Sequence, residues 1–218
     1  MLGLVSRKGI TRVERVIEQQ RSGEIDTRTK EEKFVDVAET ILKTIHLHGL
    51  DALSHSRLAR GAKVSRAWIY KYLGKDDSDL VRFAADLFGK HFAGIDMAND
   101  VSSREAWISS QIEGFRTLLQ DTQNHPHILP IYYTYLGTQN PLGEQIREVE
   151  RLWLAKVKWE LEQVTQLRGN ALEVTAQAML LNHMGLAHRY YYREVHRLMD
   201  EDEFCRQLKA YLSGALPE

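Results

Sequence analysis

Apolar residues recur at steps of three and four along most of this chain, the spacing that lines one face of a helix. From Glu31 to His48 they fall at Phe34, Val37, Ala38, Ile41, Leu42 and Ile45, and Gly49 ends the run. Ser54 is a good N-cap for a short second helix that turns Leu58, Ala59 and Ala62 inward. A tight turn at Ala62, Lys63 and Val64 follows, and Ser65 caps a third helix from Arg66 to about Leu73. The stretch from Gly74 to Asp77 breaks the pattern. Asp77 or Ser78 then caps a long fourth helix, about 78–95, with Leu80, Phe83, Ala84, Leu87 and Phe88 on one side.

Beyond residue 100 the helices lengthen. The pattern predicts them over 103–121, 126–137, 142–167, 171–196 and 201–214, separated by turn chemistry at Asn124-His125-Pro126, at 137–141, at Arg168-Gly169-Asn170 and at 200–202. No run alternates apolar and polar residues between turns, so the expected fold is all-α. It divides into a basic N-terminal extension (1–30), a three-helix head (31–78) and a larger helical body (79–218). Within the extension, Ile10, Val13, Val16 and Ile17 form one weak apolar stripe. Two readings stand there, a frayed tail or a basic arm for DNA phosphates.

Charge sharpens this division. The net charge is −1, yet residues 1–90 hold 17 Lys/Arg against 13 Asp/Glu, and residues 91–218 hold 12 against 17. From Ser54 to Lys75 there are six basic residues (Arg57, Arg60, Lys63, Arg66, Lys71, Lys75) and no acidic one. A basic module ahead of an acidic body suggests two tasks. The other features narrow the setting. A single cysteine, Cys205, excludes an intrachain disulfide. The N-terminal stretch lacks the long apolar run of a secretory signal, and nothing approaches the ~20 apolar residues of a membrane span. The expected location is the cytoplasm.

The segment Ser54–Leu73 meets the demands of a helix-turn-helix. Two short helices must cross at a steep angle, with the second presenting its N-terminal side chains to the major groove. Ala59 is small where the helices approach, and Val64 plugs the turn into the core. Ser65 caps the recognition helix, and its hydroxyl or the free amides there suit a phosphate. Arg66, Ala67 and Lys71 lie outward, while Ile69, Tyr72 and Leu73 face inward. One face is core and the other is basic.

The stretch LARGAKVSRAWIYKYLGKDDSDL resembles the DNA-binding module of TetR-type (tetracycline-repressor-like) transcriptional regulators. Leu58-Ala59 supplies the aliphatic-Ala pair, Ala62, Val64 and Ser65 the turn, and Ile69-Tyr70, Tyr72 and Leu73 the end of the recognition helix. The resemblance covers about residues 31–80, and the body matches in architecture alone. It implies phosphate contacts from Ser65, Tyr70 and Lys75, a backbone contact from Arg57, and base reading by Arg66, with guanine the usual partner of an Arg fork. Lys71 suits either role. Three departures stand out. Lys63 replaces the usual turn Gly, at a cost of roughly 1 kcal/mol if the residue is left-handed, and adds a positive charge beside DNA. Trp68 replaces the usual Thr and is counted among the DNA-contacting residues, covering a thymine methyl at the groove edge, with a wedge into the head's core as the alternative. The loop from Leu73 to Leu80 is one residue longer than the pattern.

The resemblance further implies a homodimer through the last two helices and a body that binds a small-molecule inducer, so that a repressor is released from a palindromic DNA operator. The dimer helices would offer Val174, Met179, Leu181, Met184, Ala187 and Tyr191 from one, and Phe204, Leu208, Tyr211, Leu212 and Ala215 from the other. Aromatic side chains with polar tips suit a pocket. The candidate lining is Trp107, Phe115, Tyr132, Tyr135, Trp153, Met179, His183 and Tyr190, and the acidic body hints at a neutral or cationic ligand. Catalytic, metal and cofactor sites are not expected. The histidine pairs 46/48, 125/127 and 183/188 lack the i, i+4 spacing of helical metal ligands, and no phosphate loop or nucleophile elbow occurs. The rival reading is a helical adaptor that applies its basic head to lipid or another polyanion. A regulator controlled by a protein partner is a third.

Overall fold

The computed structural model describes residues 27–93, 99–192 and 200–215. The extension expected over 1–30 lies outside these residues apart from 27–30. Nine helices and no strand occur among the described residues. They are α1 (Lys30–His48), α2 (His55–Gly61), α3 (Arg66–Tyr72), α4 (Asp77–Ala93), α5 (Arg104–Asn124), α6 (Ile128–Tyr135), α7 (Pro141–Val164), α8 (Gly169–Tyr191) and α9 (Glu201–Ala215), with a 3-10 turn at Leu50–Ala52 after α1. The all-α expectation holds, element by element.

Local chemistry sets the ends. Thr29 and Glu32 form a reciprocal capping box on α1, and Gly49 terminates it at φ +82°. Ser54, Ser65 and Ser103 cap α2, α3 and α5. Asn140 caps α7, with Pro141 at the first helical position. The start of α4 differs from expectation by one step. The Asp79 carboxylate accepts from the amides of Lys75 (3.1 Å) and Asp76 (3.2 Å), so Asp77 and Ser78 already lie in the first turn. Asp79 packs against Gly74, whose φ of +106° and lack of a side chain admit that approach.

The head packs α1, α2 and α3 around Ile41, Leu58 and Ile69, all fully buried. Helix α4 closes this core with Leu80 and Ala84, then runs along α7 with Phe88 buried and Gly89 close against Gln145. The body core lies among α5, α7, α8 and α9, around Phe115, Leu119, Leu161, Met179, Phe204 and Leu208. Head and body also meet through α1 and α6. There the Nδ1 atoms of His46 and His127 lie 2.8 Å apart, so one donates to the other. The Leu50 amide donates to Tyr135 Oη at 3.1 Å, and His125 Nδ1 meets the Glu39 carboxylate at 2.9 Å.

The corner between α6 and α7 leaves no room at Gly143. A Cβ there would fall 2.3 Å from the Thr138 carbonyl and 2.6 Å from that of Tyr135. Gly143→Ala should therefore cost about 1–3 kcal/mol. A urea titration should show a lower midpoint with an unchanged slope.

Candidate nucleic-acid interface and body core

Helix α3 is two-sided. Ile69 and Leu73 are buried, and Val64, Trp68, Tyr70 and Tyr72 are half-buried. Arg66, Ala67 and Lys71 are exposed, together with Ser65, Lys63, Arg57 and Lys75 around the same helix-turn-helix. The turn is fixed by the Val64 amide, which donates to the Ala59 carbonyl at 3.0 Å, and by Ser65 Oγ, which accepts from the Trp68 amide at 3.1 Å.

Lys63 adopts φ +53°, the left-handed conformation in which a non-Gly residue costs about 1–2 kcal/mol. Sequence reasoning missed what holds it. Arg28 donates to the carbonyls of Ala62 (3.0 Å) and Lys63 (2.7 Å) and pairs with Asp36. The contact bridges 35 positions, so no local pattern announces it.

Arg66 is held in place by its own helix. Its guanidinium donates to Tyr70 Oη at 2.6 Å and lies 5.6 Å from that ring's centroid. Buried His55 packs against Tyr70 with ring centroids 4.7 Å apart and is tied by Nε2 to the Gly74 carbonyl at 3.0 Å. Of the two roles open to Trp68, the geometry is that of the core wedge. Its ring meets Phe34 at 4.9 Å and Tyr72 at 4.7 Å, within a cluster that includes Phe83. Lys30 and Lys71 each lie 5.0 Å from the Tyr72 centroid, a cation–π arrangement that keeps two positive charges beside this cluster.

The candidate pocket residues do not form one lining. Phe115 (α5), Trp153 (α7), Met179 and His183 (α8) come together, with ring centroids 5.5 Å between Phe115 and His183 and 5.6 Å between Trp153 and His183. Trp107 belongs to a neighbouring layer. Its Nε1 donates at 2.9 Å to Glu160, a carboxylate only 1% exposed that also accepts from Gln111 and Asn99. Tyr132 donates to Glu150, and burial with that hydrogen bond pushes its phenol pKa up. Tyr135 joins the head to α6, and Tyr190 packs on Phe204 and bonds Gln123. His183 Nδ1 bonds the Met179 carbonyl at 2.8 Å, while the buried Nε2 has no partner among the described residues. An orphaned buried acceptor costs about 1–3 kcal/mol.

The residues expected on the dimer helices divide between buried and exposed positions. On α9, Phe204, Leu208 and Leu212 are fully buried in the chain's own core, because α9 packs on α5 and α8. Exposed large apolar residues on α7 and α8 are Leu152 (54%), Trp159 (54%), Val174 (55%) and Leu181 (74%); others lie on α1, at Val35 (61%) and Leu47 (55%). Lys158 pairs with Glu173 at 2.7 Å, which fixes the register of these successive helices.

A basic helix-turn-helix head on a larger helical body defines the class of fold. The particular fold is that of the TetR-family transcriptional regulators. A TetR-like regulator from Rhodococcus sp. RHA1 superposes with a TM-score of 0.63 at 16% identity, over 85% of this chain and 96% of that one. A protein of Pseudomonas aeruginosa PAO1 described as a transcriptional regulator gives 0.67 at 17%, over 88% and 94%. The fatty acid degradation regulator FadR from Bacillus halodurans gives 0.62 at 14%, over 84% and 100%. At such identities the likeness is one of fold. No protein-family model and no curated protein matches the sequence. Among the described residues no three potential ligands gather for a metal ion, and no helix is long and apolar enough to cross a membrane.

Burial holds the His183 pKa down at about 4, against an ordinary 6.5. Between those values the unfolded chain binds the extra proton and the folded chain does not. Stability from this group is therefore complete above about pH 6.5 and declines as the pH falls toward 4. Burial and His46 lower the His127 pKa and act in the same direction. Urea midpoints from pH 7 to pH 4.5 should fall less steeply in His183→Phe than in the wild type.

Proposed function

We propose that this protein is a sequence-specific, DNA-binding transcriptional regulator, a cytoplasmic repressor released from a palindromic operator by a small molecule. The observation that carries it is the two-sided α3. Its inner face is the head's core, and its outer face presents Arg66, Ala67 and Lys71 within a ring of Arg57, Lys63, Ser65 and Lys75. Phosphate neutralisation supplies affinity and positions the helix. Arg66 reads a base edge, exchanging its Tyr70 bond for a guanine. Trp68 and Tyr70 support that helix from behind, with the Tyr70 hydroxyl at the phosphate edge. The fold's likeness to TetR-family regulators supports this reading, and no catalytic role is assigned.

Reading two half-sites about one DNA turn (~34 Å) apart takes two heads. Leu152 and Trp159 on α7, with Val174 and Leu181 on α8, are the face we assign to the second copy. A ligand that favours a dimer with splayed heads over the DNA-competent one lowers DNA affinity by its differential affinity. Helix α4, packed on both α1 and α7, transmits the change. A lipid- or polyanion-binding adaptor would share the salt dependence but could not tell one duplex from another.

Selection of bound duplexes from a random pool at near-physiological salt should recover a palindrome. Arg66→Ala should lose about 1–3 kcal/mol at one base pair per half-site and relax the preference there. A folded dimer that enriches no sequence would refute the proposal.

The dimer face has its own test. Trp159→Glu and Leu181→Glu should convert the dimer to monomers in sedimentation at micromolar concentration, with Tm little changed in the monomer. Dimers that survive both substitutions would place the interface elsewhere.

A further inference from the structure

The ligand-responsive reading above leaves the chemistry of the ligand open, and one buried atom narrows it. His183 is 7% exposed. A carbonyl oxygen only accepts, so the Nδ1 that meets the Met179 carbonyl at 2.8 Å carries the hydrogen. A neutral imidazole has one N–H, which leaves Nε2 as an acceptor. No described residue donates to it. Protonation would satisfy Nε2 with a charge, but burial strongly disfavours the charged ring.

The direction of Nε2 follows from the same bond. Nδ1 is turned back toward the preceding turn of α8, so Nε2 points away from its own helix. Beside the imidazole α5 and α7 bring Phe115 and Trp153, both rings roughly edge-on at 5.5 and 5.6 Å between centroids. Phe115 and Met179 are fully buried and Trp153 is half-buried, so the tryptophan is the wall nearest solvent. The adjoining polar group, Glu160, is two turns along α7 from Trp153. It is already engaged by Trp107, Gln111 and Asn99, with Lys156 3.8 Å away. Among the described residues His183 Nε2 is a polar group without a partner beside these apolar rings; Asn182 Oδ1, the next residue back on α8, is another buried acceptor without one.

We infer that the meeting point of α5, α7 and α8 binds a neutral ligand with an apolar body and one hydrogen-bond donor (a phenol, an alcohol or a ring N–H) that donates to Nε2 of His183. The apolar body lies against Phe115, Trp153 and Met179. A carboxylate is disfavoured, because its oxygens would face the imidazole lone pair with no cation to compensate. An ether of the same shape loses the hydrogen bond while keeping the apolar contacts.

Three probes of nearly equal size separate these cases on the full-length protein: 4-tert-butylphenol, its methyl ether and 4-tert-butylbenzoate. Binding is read by tryptophan fluorescence and calorimetry, and operator occupancy on the selected duplex. The phenol should bind at least about tenfold more tightly than either analogue and reduce operator occupancy. In His183→Phe the phenol and the ether should bind alike. In His183→Gln, which keeps an acceptor, part of the preference should return. If the phenyl ring does not fold into the site, His183→Leu makes the same comparison. Equal binding of phenol and ether by the wild type overturns the inference. So does tighter binding of the benzoate, a phenol preference that survives His183→Phe, or no binding by the phenol or by the matching benzyl alcohol and aniline. In each of these cases a recovered operator leaves the DNA-reading proposal standing. Failure of duplex selection with phenol binding intact would do the reverse.

Discussion

Helix α4 has to fit two cores at once, and the placement of the head depends on it. Its first turns close the three-helix head through Leu80 and Ala84, and its later turns lie along α7 with Phe88 fully buried. The fit is set at both ends by glycines that admit close neighbours, Gly74 against Asp79 and Gly89 against Gln145. A second attachment stands on the other side, where α1 meets α6 through His46 and His127 and through Leu50 and Tyr135. A head held at two places cannot swing freely. Any rotation that keeps the α4–α7 packing must open or slide the α1–α6 contacts.

Inside the head, a strained residue and its clamp work as a unit. Lys63 bears the left-handed backbone that a glycine would adopt without strain. Arg28 holds the two carbonyls of that turn and is itself anchored by Asp36. What the turn loses in backbone strain it regains in part through charge-assisted hydrogen bonds. The exchange leaves a lysine, where a glycine would carry no charge, at the edge of the basic surface.

Much of this was legible in the sequence because helices are local. The spacing from Phe34 to Ile45, the serine caps and the Gly and Pro breaks each act within a few residues, and the helices begin and end close to where those signals lie. The basic outer face of α3 was legible for the same reason, since one heptad of sequence fixes which side each residue takes. The body was harder. Phe115, Trp153, Met179 and His183 could be named from residue type, but Trp107, Tyr132, Tyr135 and Tyr190 looked no different. What separates them is a partner far along the chain: Glu160, Glu150, the Leu50 amide and Gln123. The apolar stripe of α9 carried the same ambiguity. A row of Phe204, Leu208 and Leu212 reads alike whether it meets its own chain or another, and only the tertiary packing decides.

The exposed residues of α7 and α8 repeat at intervals of seven, Leu152 to Trp159 and Val174 to Leu181. In a two-fold assembly each side chain on that seam occurs twice, so a single codon change alters two places in one interface. Small differences in shape are then amplified when a chain meets its own copy and diluted when it meets a foreign one.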